Sequence, residues 1–375
     1  MKEERQLVFT GIIFIAMAYG ISRFSYGLLL PYFNGPLHMT NQISGIISSV
    51  SYLTYSLGII TVFTLFKNIQ PRHDLLISSV LSLIGLTLLM VSMNYMVFGV
   101  GIIILGYAAG IATAPYGSII KEKITYGYQD RSNSWINTGI GLGLIIIGLI
   151  VFFFQEYWRY SYLVFILLSL FITLINYTKL PFIEMSHLNY QLDVRHLFYG
   201  RKLVLSTLLL GIGTSAYWTY FQSYIFQADF NELTSLFWVT LGIGGLLGGF
   251  AGQALEMFGI MRIHVFTGLM LALANVLLII TTNGIVIAAS TVLFGMIYVF
   301  SMGVYAFWSA RIYVKYPSMG IIVTFISLAA GQFIGTFFSG FILEVSGFKG
   351  LFIIYSLLSL VTIFFRPFAE ELEEL

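Results

Sequence analysis

One guanidinium stands where a chain of this kind can least accommodate it. Arg23 lies in the middle of an apolar segment running from Leu7 to Phe33. An arginine stays charged at any physiological pH, so within a bilayer it must face protein, water or an anion rather than lipid. Counted about sixteen residues in, at about 1.5 Å per residue, it falls roughly 24 Å along a helix and somewhat past the midplane. The chemistry this offers is recognition: a planar fork donates two parallel hydrogen bonds to a carboxylate, phosphate or sulfonate. The competing reading is architectural, with Arg23 bonded to backbone carbonyls or to the end of a neighbouring broken helix. No acid is placed to neutralise it, because the Asp and Glu residues all map to chain ends, loops or interfacial positions.

A second concentration of polar and aromatic groups is GTSAYWTYFQSYIF, which packs Tyr217, Trp218, Tyr220, Phe221, Gln222 and Tyr224 into eight positions. Tyr217, Phe221 and Tyr224 form one stripe at helical spacing, with Trp218 and Gln222 beside it. Such a stripe lines a cavity or belongs to an aromatic belt at the membrane interface. The belt suits Tyr224, whereas Tyr217, Trp218 and Gln222 are assigned to the cavity. Tyr26 joins them on the first segment. Trp135, Asn137, Tyr305, Trp308 and Gln332 are further candidates of the same type, Trp308 being equally suited to a belt beside Arg311. Pro31 is expected to end the first segment, and Pro115 to interrupt the fourth with a bend that serves gating or packing.

Nothing points to catalysis. The chain lacks a phosphate-binding loop, a His-Glu-x-x-His pair, a Gly-x-Ser-x-Gly elbow and any cluster of His or carboxylates. With no cysteine, thiolate metal and redox sites are impossible. No cofactor or metal is expected. His38, His73, His187, His196 and His264 all fall near loops or segment ends, so no embedded histidine is expected to carry a coupling proton. Nucleic-acid binding is excluded by the want of a soluble basic domain.

The elements that must position these residues follow from composition. Of 375 residues, 58% are hydrophobic and 9% charged, with a mean hydropathy of +0.91. An ordinary soluble domain carries about 25% charge, so this is an integral membrane protein. Segments long enough to cross the hydrocarbon core lie near 7-33, 42-66, 73-93, 95-120, 132-154, 158-178, 202-226, 233-254, 261-281, 284-310, 319-343 and 349-366. Asn94 and Asn283 mark very tight turns. If the N-terminus is cytoplasmic, fifteen of the eighteen Lys and Arg fall on that side, Arg159 and Lys349 fall on the other, and Arg23 is embedded. A missed or invented segment would scramble that bias. The start MKEERQLVFT is followed by no small-residue cleavage site and is expected to be retained.

The polar interval from Lys179 to Lys202 divides the chain into six segments and six. Residues 1-178, a cytoplasmic linker at 179-201 and residues 202-375 are the expected units. Gly139, Gly143 and Gly148 recur 192 residues later as Gly331, Gly335 and Gly340, and Gly20, Ser22 and Phe33 recur at an offset of 193 as Gly213, Ser215 and Phe226. Three glycines in register suggest duplication, and small residues also let helices approach closely where lipid supplies no hydrophobic drive.

Two six-segment halves, cytoplasmic ends and a mid-chain linker resemble the major facilitator superfamily. That family carries a Gly-x-x-x-Asp-x-x-Gly-x-x-Arg signature after the second span and, more weakly, after the eighth. Gly252, Glu256, Gly259 and Arg262 fit the second copy with Glu for Asp. The first copy is degraded, with Lys67 and Gln70 at the acid and glycine positions and only Arg72 kept. The run Gly20, Arg23, Phe24, Tyr26, Leu29, Leu30 and Pro31 is similar to the YbfB-type bacterial branch. The resemblance implies an all-α membrane protein of twelve transmembrane helices in two pseudo-symmetric six-helix bundles, working by alternating access. In anion-handling members a first-span arginine often contacts substrate. Ala216 stands at the repeat-related position, so one charge is expected rather than two.

The expectation is therefore a monomeric carrier of a small organic anion in the cytoplasmic membrane, both termini inside, with protons as a possible coupling ion. Arg23, Tyr26, Asn137, Tyr217, Trp218, Gln222 and Gln332 are its expected binding residues. Gly252, Glu256, Gly259, Arg262 and Pro115 are the expected gating residues. The alternatives are export of hydrophobic or aromatic compounds, favoured by 17% aromatic residues, and a membrane sensor that moves nothing.

Overall fold

The computed structural model describes residues 2–66, 69–113, 115–125, 127–182, 200–228, 230, 233–314 and 317–367, and every regular element among them is helical. In lipid this is the arrangement that pairs each backbone N–H and C=O within its own segment. Most of the 179-201 linker, the first-copy Lys67, and His187 and His196 lie outside the described residues.

The first span is α1 (Lys2–Ile15), a π-helical stretch from Ala16 to Phe24, and α2 (Ser25–Asn34). Helical structure runs through Pro31 instead of ending there. A proline inside a membrane helix costs one backbone bond, whereas stopping would leave several unpaired in lipid. α3 (Asn41–Thr64), α4 (Pro71–Val91) and α5 (Tyr95–Ala112) follow, and α6 (Pro115–Lys123) restarts at the proline expected to interrupt this span. Next come α7 (Gln129–Asn137), α8 (Gly139–Phe154) and α9 (Trp158–Lys179). The later part holds α10 (Arg201–Gln227), α11 (Leu236–Leu247), α12 (Ala251–Phe258), α13 (Ile260–Ile280), α14 (Gly284–Ile312) and α15 (Pro317–Val361).

Sequence explains several boundaries. Thr40, Asn94 and Asn283 each cap the following helix, their side-chain oxygens accepting from the backbone of Ile43, Val97 and Ile285. The tight turns expected at Asn94 and Asn283 are these caps. Pro71 opens α4, where its missing donor costs nothing.

Among the described residues, ten stretches are long and apolar enough to cross a membrane, against twelve expected. The difference arises at two places. α10 spans 27 residues, but its Ser, Thr, Tyr and Gln side chains lower its hydropathy and leave it outside that set. Met319–Phe365 forms a single stretch although the backbone breaks at Gly347, with φ 64° and ψ −177°.

The repeated glycines make parallel contacts. A Cβ on Gly139 would stand 2.3 Å from the Ile12 carbonyl oxygen, and one on Gly143 2.6 Å from that of Ala16. A Cβ on Gly331 would stand 2.0 Å from the Leu208 carbonyl oxygen, and one on Gly335 2.9 Å from Ile212 Cα. So α8 presses on the first span as α15 presses on α10. Further along, Gly148 meets Ser235 and Val239, whereas Gly340 meets Asn41 and Gln42. Through these contacts the chain before residue 183 and the chain after residue 199 meet along a seam, which α2 and α10 also line.

Candidate functional site

The π-helical stretch ends at the site. Widening the helix shifts the side chains that follow relative to an α-helical continuation, a distortion that gathers at functional positions. Its glycine at position 20 admits the α8 backbone, since a Cβ there would lie 2.4 Å from Gly143 Cα. Arg23 emerges one residue before the stretch closes.

Its guanidinium lies over the Tyr55 ring at 4.0 Å and the Tyr52 ring at 4.9 Å. Tyr55 is held by a triangle of hydroxyls: Tyr19 to Thr113 at 2.8 Å, Tyr19 to Tyr55 at 3.1 Å and Thr113 to Tyr55 at 3.1 Å. A fixed aromatic face offers the cation an attraction that strengthens when water is withdrawn. At its edge, Arg23 Nη2 donates to Gln332 Oε1 at 2.9 Å. Among the described residues no carboxylate pairs with it. Arg23 remains partly exposed.

Around it the seam is aromatic. The Phe24 ring stacks on Trp218 at 4.0 Å and 20°. Tyr298 of α14 meets Trp218 edge-on at 4.9 Å and lies close to Arg23 and Gln332. A cavity of about 20 Å³, room for a single water, touches Arg23, Phe24, Tyr26, Ser48, Tyr52 and Trp218. Among the described residues, two buried donors here make no hydrogen bond of good geometry, Trp218 Nε1 and Gln332 Nε2, the latter near the Tyr298 hydroxyl.

From Arg23 toward the end of the first span away from Lys2, the seam is hydrogen-bonded. Ser48 and Thr219 hydroxyls meet at 3.4 Å, Tyr220 donates to the Asn41 carbonyl at 2.7 Å, and Gln42 Nε2 donates to Glu344. Gly27 lets the backbones touch, because a Cβ there would lie 2.0 Å from the Trp218 carbonyl oxygen.

The structure thus brings Arg23, Tyr26, Trp218 and Gln332 to one place. Tyr26 contributes only its ring to the cavity, its hydroxyl being donated to the Ser44 carbonyl at 2.8 Å. Gln222 lies one turn beyond Trp218, fully buried with neither amide atom partnered. Tyr217 lies elsewhere. It stacks between Phe294 at 3.7 Å and Phe221 at 4.9 Å, with its hydroxyl on Ser290 at 2.9 Å, inside the packing of α10 against α14. Asn137 ends α7 just before the glycine that packs on Ile12, which sets it about three helical turns from Arg23. Tyr224 donates to the Leu278 carbonyl at 2.6 Å, so it braces α13.

Glu256 and Arg262 are exposed on either side of Gly259, whose φ of 76° turns the chain between α12 and α13. They form no ion pair with each other here. Arg72 is occupied by the Tyr177 carbonyl at 2.6 Å and the Phe182 ring at 4.4 Å. His264, expected near a segment end, is fully buried about one turn into α13, with Nε2 3.1 Å from the Thr362 carbonyl oxygen.

Tyr19, Phe24, Tyr52, Tyr55 and Tyr298 were not among the expected site residues. A signal existed for three: Tyr19 lies four residues before Arg23, and Tyr52 and Tyr55 are three apart on the next span, the spacings that share a helix face.

The family described as Major Facilitator Superfamily matches residues 12–329. Among solved structures, the nucleoside transporter NupG is 14% identical over 97% of this chain and 98% of its own, with a TM-score of 0.75. The xylose transporter XylE from E. coli, in a partially occluded inward open conformation, is 13% identical over 97% of each chain at a TM-score of 0.78. A D-xylose-proton symporter is 16% identical over 96% of each chain, at 0.77. At such identities the likeness is one of fold. No curated protein matches the chain by sequence.

Proposed function

The chain belongs to the major facilitator superfamily, and from that premise we propose that it carries a small organic anion across the cytoplasmic membrane, with Arg23 holding the anionic group. One observation carries the reading: a permanently charged donor at the seam, with no acid beside it and further unpartnered donors around it. Among the described residues the guanidinium has no negative counterpart. A carboxylate supplies both acceptors and the missing negative charge, whereas a lipophilic cation would add to the imbalance.

In this reading the chain forms twelve spans in two six-helix bundles, 1-178 and 202-375, joined by a cytoplasmic linker, with both termini inside. α10 and the two limbs of α15 about Gly347 complete the count. The seam is hydrogen-bonded on the face away from Lys2, and in this reading the substrate reaches Arg23 from the face bearing the N-terminus. Alternating access would open the opposite face by parting the Tyr220, Gln42 and Ser48 contacts. Glu256, Arg262, Gly252 and Gly259 would latch the terminal face in that second state, with the break at Pro115 absorbing part of the movement. Protons are the proposed coupling ion, by analogy with the D-xylose-proton symporter that shares this fold. The YbfB-type branch remains the proposed placement within the superfamily.

A ligand-stabilisation screen on the purified protein in detergent tests the proposal. Carboxylates or sulfonates should raise the melting temperature, and Arg23→Ala should abolish the shift. Stabilisation by lipophilic cations instead would transfer the case to export of hydrophobic compounds.

A further inference from the structure

Resting on the anion reading, we infer that the substrate is an aromatic carboxylate whose ring is taken between Phe24 and Trp218. These two rings come from opposite sides of the seam and are nearly parallel, 4.0 Å apart at 20°. Each borders the small cavity beside Arg23. A parallel pair contributed by two bodies that move relative to one another is a slot: parting the seam by one ring thickness exposes two facing π surfaces at once. Tyr298 stands edge-on to both, 6.4 Å from Phe24 and 4.9 Å from Trp218, and would supply its hydrogen-rich edge to a ring held there.

The spacing to the charge agrees. Arg23 Cζ lies 5.8 Å from the Phe24 ring centre. A carboxylate paired with the guanidinium puts a directly attached ring about 7 Å from the same carbon, within one bond length or so of the slot. The guanidinium leaves its edge for that carboxylate, because its face is already taken by Tyr55 and Tyr52. Gln332 currently occupies part of the edge through its Oε1, while its Nε2 makes no hydrogen bond of good geometry. A carboxylate arriving on Arg23 would displace the amide oxygen, and turning the amide would offer Nε2 to the second carboxylate oxygen. Trp218 Nε1, also without a hydrogen bond, would serve a polar substituent on the ring.

Titration of the full-length protein in detergent with benzoate and with cyclohexanecarboxylate, matched in charge and close in size, separates ring recognition from anion recognition. Benzoate is expected to bind about tenfold more tightly, the upper range of one stacking contact, with a change in tryptophan fluorescence. Phe24→Leu, which keeps bulk without a π face, is expected to erase the preference so that the two acids bind alike, and Phe24→Tyr to keep it. Equal affinity of the two acids for the wild type, or a preference that survives Phe24→Leu, overturns the aromatic slot and leaves the anion reading standing. If neither acid binds while neutral benzyl alcohol does, the anion reading itself fails, and this inference with it.

Discussion

Arg23 and Gln332, 309 residues apart in sequence, meet across the seam at 2.9 Å. The bond joins a cation to a neutral amide, so it satisfies one donor without cancelling the charge. An acid at position 332 would have locked the arginine and left nothing for a ligand to do. An amide holds the site shut weakly enough to be displaced.

That relationship predicts different outcomes for variants at its two ends. Arg23→Ala should cost substrate affinity about 2–5 kcal/mol, the range for truncating one side of a buried charge pair. Arg23→Lys should recover only part of it, because an ammonium is a point charge without the fork. Gln332→Glu should also abolish binding by installing the missing acid inside the protein, yet raise the melting temperature of the unliganded form. Ligand titration and thermal melts on the same preparations check all three.

Tyr55 offers a test of how the guanidinium is held. Its ring lies 4.0 Å beneath Arg23, and its hydroxyl belongs to the triangle with Tyr19 and Thr113. Tyr55→Phe removes the hydroxyl and should cost about 1 kcal/mol of stability with affinity little changed. Tyr55→Ala removes the face as well and should weaken binding by about tenfold or more. Equal affinities for the two variants would show that the ring does not orient the arginine.

Arg23 was legible from sequence because a lone charge in an apolar run has few explanations. Its partner was legible only as one glutamine among several polar candidates, since nothing local ties residue 332 to residue 23. The π-helical stretch carries no pattern of its own, and the close approach of Gly143 to Gly20 within it is a tertiary contact. Tyr217 illustrates the limit of periodicity. α10 is buried on nearly every face, so helical spacing cannot say which stripe meets the seam and which meets α14. Hydropathy alone marks ten stretches among the described residues, because a helix surrounded by protein, such as α10, tolerates the Thr, Tyr and Gln that lower its hydropathy. His264 lies near the start of its span as expected, and composition could not show that protein surrounds it there.

The glycine contacts predict paired damage. Gly143→Ala and Gly331→Ala each push a methyl against a carbonyl oxygen of the facing helix, at 2.6 Å and 2.0 Å. Helix backbones cannot yield locally, so each should destabilise by about 1–3 kcal/mol. Gly252→Ala adds a methyl to open space and should leave the melting temperature within about 1 °C of wild type, a shift below about 0.5 kcal/mol. Gly347→Ala, at φ 64° and ψ −177° with nothing near its Cβ, separates strain from crowding. It should cost about 1–3 kcal/mol through backbone conformation alone.

The last prediction concerns movement. Gln42 and Glu344 touch across the seam on the face away from Lys2, near the Tyr220 to Asn41 bond. If transport requires that face to open, joining the two positions must stop it. The chain contains no cysteine, so Gln42→Cys with Glu344→Cys can be bridged by a short bifunctional thiol reagent without background. The bridged protein reconstituted in liposomes should retain ligand binding from the opposite face and lose net transport, and a reducible bridge should restore transport on cleavage. Binding should persist because the bridge fixes the closed side and leaves Arg23 untouched about three helical turns away, its contacts Tyr52 and Gln332 lying 10 and 12 residues from the bridged positions. Undiminished transport by the bridged protein would mean that this seam never parts, and alternating access through Arg23 would have to be abandoned.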